Sequence, residues 1–102
     1  MPEWIKIAAQ GDLPPAGEVR EFACGEKMIC VANLNGEYCA VDNVCLHRGG
    51  PLGQGSMLGG KIVCPWHGWM FDAKTGAVDH NSAMKTRAYP LRIDDDDVKI
   101  EV

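Results

Sequence analysis

Short apolar runs recur along this chain, separated by Gly, Pro, Asn and Asp, and several of them alternate with polar residues. A period of two is the mark of half-buried strands, so the pattern predicts an all-β fold. The predicted strands cover residues 4–7, 18–22, 28–32, 38–41, 61–63, 69–71, 91–93 and 98–102. Asn35-Gly36 accepts the positive φ of a tight turn, which makes the third and fourth runs a hairpin. Residues 73–76 read as a turn after the sixth run. Asp94-Asp95-Asp96-Asp97 reads as the solvated turn of a last hairpin, because four consecutive acids lack the alternating spacing of a calcium loop. No helical period, internal repeat or low-complexity linker interrupts this pattern.

One stretch has a different texture. Residues 43–60 carry Gly49, Gly50, Gly53, Gly55, Gly59 and Gly60, with Pro51 among them. Glycine lets backbone approach a ligand closely, and a long irregular loop inside a small β domain is usually functional. The chain has 102 residues, 46% of them hydrophobic, enough for one domain spanning 1–102 with a modest core. A bound metal would add usefully to its stability. The net charge is −4 and the ten Lys and Arg are scattered, which argues against nucleic acid as a partner. No run approaches the length of a membrane span and no basic leader opens the chain, so the expectation is a cytoplasmic protein without a membrane partner. Five cysteines, an odd number, agree with a reducing compartment.

The chemistry lies in two short motifs. Cys45-Leu46-His47 is C-x-H and Cys64-Pro65-Trp66-His67 is C-x-x-H. Together they offer two thiolates and two imidazoles, a set that suits a [2Fe–2S] cluster with one iron on Cys and the other on His. The rival with the same four ligands is a structural zinc site. Zinc modules favour paired cysteines and paired histidines, whereas each arm here mixes the two types. The chain has no C-x-x-C, which sets aside rubredoxin and the common ferredoxin spacings.

Residues 45–52, Cys-Leu-His-Arg-Gly-Gly-Pro-Leu, and residues 64–72, Cys-Pro-Trp-His-Gly-Trp-Met-Phe-Asp, resemble the two cluster-binding boxes of the Rieske family. The likeness is to soluble Rieske-type ferredoxins of bacterial dioxygenase systems. It implies an antiparallel β-sandwich with a small cluster-binding subdomain of two ligand loops, at about residues 43–84. It also implies one [2Fe–2S] cluster per chain, its inner iron on Cys45 and Cys64 and its outer iron on His47 and His67. Cytochrome-complex relatives carry a disulfide between the boxes; Gly50 and Trp66 stand at those positions. Those relatives also place a Ser and a Tyr near the cluster sulfurs, where this chain has Trp69 and Phe71. Fewer hydrogen bonds to sulfur lower the reduction potential, so the resemblance implies a low-potential centre. In the family's third, covering loop, Ser82 replaces the expected proline.

The function this implies is one-electron transfer from a flavin-dependent reductase to a terminal oxygenase such as a ring-hydroxylating dioxygenase. The chain would be a carrier and not itself an enzyme, since His80 alone remains to build a mononuclear iron site. The alternative is a small accessory subunit of an NADH-dependent nitrite reductase-like complex. Among the other residues, Cys30 and Cys39 read as small buried hydrophobes, and Cys24 precedes Gly25 at a turn that leaves room for exposure, with nothing to mark it as reactive. Of Trp66 and Trp69, one is expected to pack inward.

Overall fold

The computed structural model describes residues 3–45, 49–66, 68–79 and 81–102, and for 81–83 the backbone alone. The described residues form twelve strands, all paired antiparallel: β1 Trp4–Ala9, β2 Val19–Cys24, β3 Lys27–Leu34, β4 Glu37–Asp42, β5 Ser56–Leu58, β6 Lys61–Val63, β7 Met70–Asp72, β8 Ala77–Val78, β9 Asn81–Lys85, β10 Ala88–Tyr89, β11 Leu91–Asp94 and β12 Asp97–Glu101. Single turns of 3₁₀ helix stand at Gln10–Asp12 and Leu52–Gln54. The expected all-β antiparallel architecture is present.

Three sheets arise, ordered β1-β12-β11, β10-β4-β3-β2 and β5-β6-β7-β8-β9. The middle of the molecule is β3, where Ile29, Cys30, Val31 and Ala32 are all fully buried. Alternate side chains point to opposite faces of a strand. Ile29 and Val31 therefore join Ala40, Tyr89, Val98 and Ile100 in one core, shared with the three-stranded sheet. Cys30 and Ala32 join Val41, Leu52, Ile62, Phe71 and Val78 in a second core, shared with the five-stranded sheet. A strand covered on both sides has no polar face, which explains why this run is continuously apolar instead of alternating. The second core also contains Cys45 and Cys64.

The hairpins predicted at Asn35-Gly36 and at the aspartates are both present. Among the described residues, Asn35 and Asp95 are the non-glycine ones with positive φ, at 54° and 55°. Strands β5, β8, β9 and β10 were not among the expected ones. The largest correction concerns residues 43–60, expected to be irregular throughout. Their second half forms a 3₁₀ turn and then β5, which pairs with β6 from Ser56↔Val63 to Leu58↔Lys61. Gly59 and Gly60, with φ of 57° and 80°, make the tight turn of that hairpin.

Candidate metal centre

Two loops bring the cysteines together, and their backbones follow one plan. In the first, the Cys45 amide donates to the Gly50 carbonyl at 2.9 Å and the Gly49 amide donates to the Cys45 carbonyl at 2.8 Å. In the second, the Cys64 amide donates to the Trp69 carbonyl at 2.8 Å and the Gly68 amide to the Cys64 carbonyl at 3.2 Å. Each loop thus closes on the fifth residue after its cysteine, with a glycine one position earlier. Gly49 and Gly68 have φ of 74° and 73°, a left-handed conformation that strains any residue with a β-carbon. The repeated Cys-x₃-Gly spacing was visible in the sequence but was absorbed into a general reading of glycine richness.

The loops differ in what carries them. The second springs directly from the β6–β7 ladder, where Val63 pairs with Met70 just outside the loop. The first leaves the sheet after Asn43 and is flanked by the isolated bridge Val44↔Pro51. Asn43, only 4% exposed, is its anchor. Its amide donates to the Met28 carbonyl at 3.1 Å, and its carbonyl accepts from the Leu52 amide at 2.8 Å. Its side chain donates to Glu21 Oε2 at 2.5 Å and accepts from the Gly53 amide at 2.6 Å. Gln54 Nε2 reaches Glu21 Oε1 at 3.0 Å. A β-carbon on Gly53 would stand 2.4 Å from Glu21 Cγ and 2.9 Å from the Glu21 amide nitrogen, so this glycine is required for space. None of Asn43, Glu21, Gly53 or Gln54 was singled out from sequence as a supporting residue.

Cys45 and Cys64 are 2% and 1% exposed, and the Cys64 thiol is hydrogen-bonded to Cys45. Burial pushes the Cys64 pKa up; the Trp66 amide donating to the same sulfur works against this, and Cys45 reinforces it. Two adjacent sulfurs out of water cannot both hold negative charge unless a cation lies between them. That donor set fits a metal or an iron–sulfur group taken up as thiolates. His47 and His67, the other two expected ligands, lie outside the described residues, as do Leu46, Arg48 and His80. The side chain of Ser82 is likewise outside them.

Other expectations resolve individually. Cys30 is fully buried, and burial, with Glu21 second, raises its pKa to about 12. Cys39 is half-buried against the same core, and Cys24 ends β2 half-buried, directly before the turn expected at Gly25. Trp69 packs on the core while Trp66 is exposed, which settles which indole faces inward. Phe71 is fully buried and, like Trp69, brings no hydroxyl. After the second loop, Asp72 Oδ1 accepts the Lys74 and Thr75 amides at 2.8 and 3.0 Å, fixing the expected turn. Partial burial opposes charge on Asp72, but those amides and Lys61 together hold its pKa below the usual value.

The antiparallel β-fold thus presents two buried cysteines side by side on matched loops. The model of one family, described as the Rieske [2Fe-2S] domain, matches residues 3–93, and the chain belongs to that family. It is 33% identical over 92 residues to the ferredoxin component of the naphthalene 1,2-dioxygenase/salicylate 5-hydroxylase systems of Ralstonia sp, covering 89% of this chain and 88% of that protein. It is 36% identical over 63 residues to apoptosis-inducing factor 3 of Mus musculus, covering 62% of this chain and 10% of that protein. This chain therefore spans about a tenth of that longer relative. Among solved structures, the Sphingomonas yanoikuyae B1 ferredoxin superposes with a TM-score of 0.85 at 28% identity, covering 98% of this chain and 99% of that one.

Proposed function

We propose that this chain is a one-electron carrier that takes electrons from a flavin-dependent reductase and delivers them to a terminal oxygenase of the ring-hydroxylating type. The observation that carries the reading is the pair of matched loops that set Cys45 beside Cys64 in a water-excluded core. Residues 1–102 act as one domain, with Cys45, His47, Cys64 and His67 as ligands of one cluster per chain. Bound there, a [2Fe–2S] group supplies reversible one-electron chemistry at a potential set by its protein surroundings. Cys45 and Cys64 hold it as thiolates, and His47 and His67 complete the set. A relative that aligns over 88% of its own length and is named as a ferredoxin component favours a carrier over the nitrite reductase-like accessory subunit. No helix among the described residues is long and apolar enough to cross a membrane, and a cytoplasmic setting accords with five cysteines that form no disulfide.

Trp69 and Phe71 stand where high-potential relatives place hydroxyl donors and bring none, so the midpoint is expected in the lower half of the Rieske span of ~−150 to ~+300 mV. Anaerobically purified protein should be red-brown, carry about two irons and two acid-labile sulfides, and give a rhombic EPR signal on reduction. Cys45→Ser and Cys64→Ser should each abolish all three. Stoichiometric zinc with no visible absorption would overturn the reading, and a midpoint near the top of the span would overturn its low-potential part.

A further inference from the structure

The two ligand loops meet at a place that their hydrogen bonds do not explain. A β-carbon on Gly50, the residue that closes the first loop, would stand 2.8 Å from the Cys64 sulfur, 3.0 Å from Trp66 Cγ and 3.1 Å from Trp66 Cδ2. All three atoms belong to the second loop. Gly50 is buried and is not among the residues with positive φ. Its lack of a side chain therefore serves close approach, whereas Gly49 serves backbone shape. The sulfur and the indole flank one point, which puts them within about 6 Å of each other, the range of a favourable sulfur–aromatic contact.

Trp66 itself is 49% exposed and is not among the residues packed on either core. Cys64, two residues earlier on the same surface loop, is only 1% exposed. Something must keep water from that sulfur. Gly50 lies against that sulfur, and the indole lies against Gly50 at the same point.

We propose that Trp66 is a positioning residue whose indole pins the first ligand loop against the second and keeps the Cys64 sulfur dry. This rests on Cys64 being a cluster ligand. Water admitted to a ligand sulfur donates hydrogen bonds that favour the more negative, reduced state, so opening this cover raises the midpoint. The Trp66 amide also donates to the Cys64 sulfur. Any residue except proline supplies that amide, so side-chain substitution separates the indole from the backbone bond.

The test compares cluster-loaded wild type with Trp66→Ala, Trp66→Phe, Gly50→Ala and the double variant, by the rate of bleaching under a ferrous chelator and by midpoint potential. Trp66→Ala should bleach about tenfold faster, equivalent to ~1.4 kcal/mol of lost contact, with a raised midpoint. Trp66→Phe should recover most of both. Gly50→Ala sets its β-carbon against both the indole and the Cys64 sulfur, so it should bleach at least as fast as Trp66→Ala, and the double variant should be no worse than Gly50→Ala, because losing the indole adds nothing once the loops are already parted. If Trp66→Ala is recovered without cluster, cluster lifetimes in wild type, Trp66→Phe and Trp66→Leu should fall in that order, and equal lifetimes overturn the proposal. It is also overturned if Trp66→Ala keeps the wild-type lifetime and midpoint, even with slower electron delivery to a protein partner. That pattern would make the indole a docking surface instead. Wild type that binds zinc in place of iron and sulfide overturns the underlying reading of Cys64.

Discussion

The first and second ligand loops share a hydrogen-bonding frame but not a foundation. Each closes from its cysteine to the fifth residue beyond, and each bends at a left-handed glycine, Gly49 or Gly68. The second loop is the tip of a strand pair, so its place is fixed by the β6–β7 ladder. The first is held to β2 by the buried side chain of Asn43 and its partner Glu21, and to β3 by the Asn43 amide on the Met28 carbonyl. Backbone ladders tolerate most substitutions on their surface, whereas a side-chain anchor depends on one residue. The difference implies that damage to the site enters through the first loop.

Asn43→Ala should break that asymmetry most severely. It strands the Gly53 amide and removes a donor from Glu21, which should lower stability by ~1–3 kcal/mol. Hydrogen exchange should then rise at the amides of residues 52–54 while those of 64 and 68 keep their protection. Equal loss of protection in both loops would show that they stand or fall together, against the division drawn here.

A smaller effect probes what the loops have in common. Gly49→Ala and Gly68→Ala each force a β-carbon into left-handed backbone, at ~1–2 kcal/mol. Among the described residues space is not the obstacle, because the nearest atom to such a carbon at Gly49 is Val44 Cγ1 at 4.0 Å, and none lies within 4 Å at Gly68. Denaturant titration should give the two variants the same loss. A difference well beyond ~0.5 kcal/mol would mean that the shared frame is not energetically shared.

The last effect is silent at neutral pH and concerns Cys30, which lies in the same core as Cys45 and Cys64. Burial holds its thiol at about 12, above its ordinary value of 9.0, so the folded state keeps this proton more tightly than the unfolded one. Its contribution is complete below about pH 9 and is lost as pH rises from there toward 12. Tyr89, raised from 10.0 to about 12 by burial and by its hydrogen bond to Asp42, adds a second loss over the upper part of that window. Urea midpoints of the apo protein should therefore fall above pH 9, and Cys30→Ala should flatten the early part of the fall while the cluster still assembles. An unchanged profile in Cys30→Ala would remove this sulfur from the account.

Much of the fold was legible because its strands carry their own pattern. Residues 61–63 were expected and found to the residue, since Lys61-Ile62-Val63 lies between Gly60 and Pro65 and buries its central isoleucine. Strands β8 and β10 have two residues each, too few to show a period. In β9, Asn81 to Lys85 has no β-branched or aromatic residue, and its pairing comes from the neighbouring β8. The cysteines of the site were legible because ligand chemistry restricts residue type. Its support was not, because Asn43 and Glu21 are 22 residues apart and only the sheet brings them together.

The pairing of β1 with β12 bears on how such a domain comes into being. Trp4 lies opposite Glu101, so the outer sheet closes across nearly the whole sequence. Contacts this distant form late, because the entropy of closing a long segment must be met before any of them forms. The β6–β7 hairpin, which presents Cys64, joins residues close in sequence and can form early. Assembly should thus run outward from the hairpin, with β1 docking last. The outer sheet covers the core of Ile29 and Val31 and not the one that holds Cys45 and Cys64, so the two sulfurs can be set side by side before the ends of the chain have met.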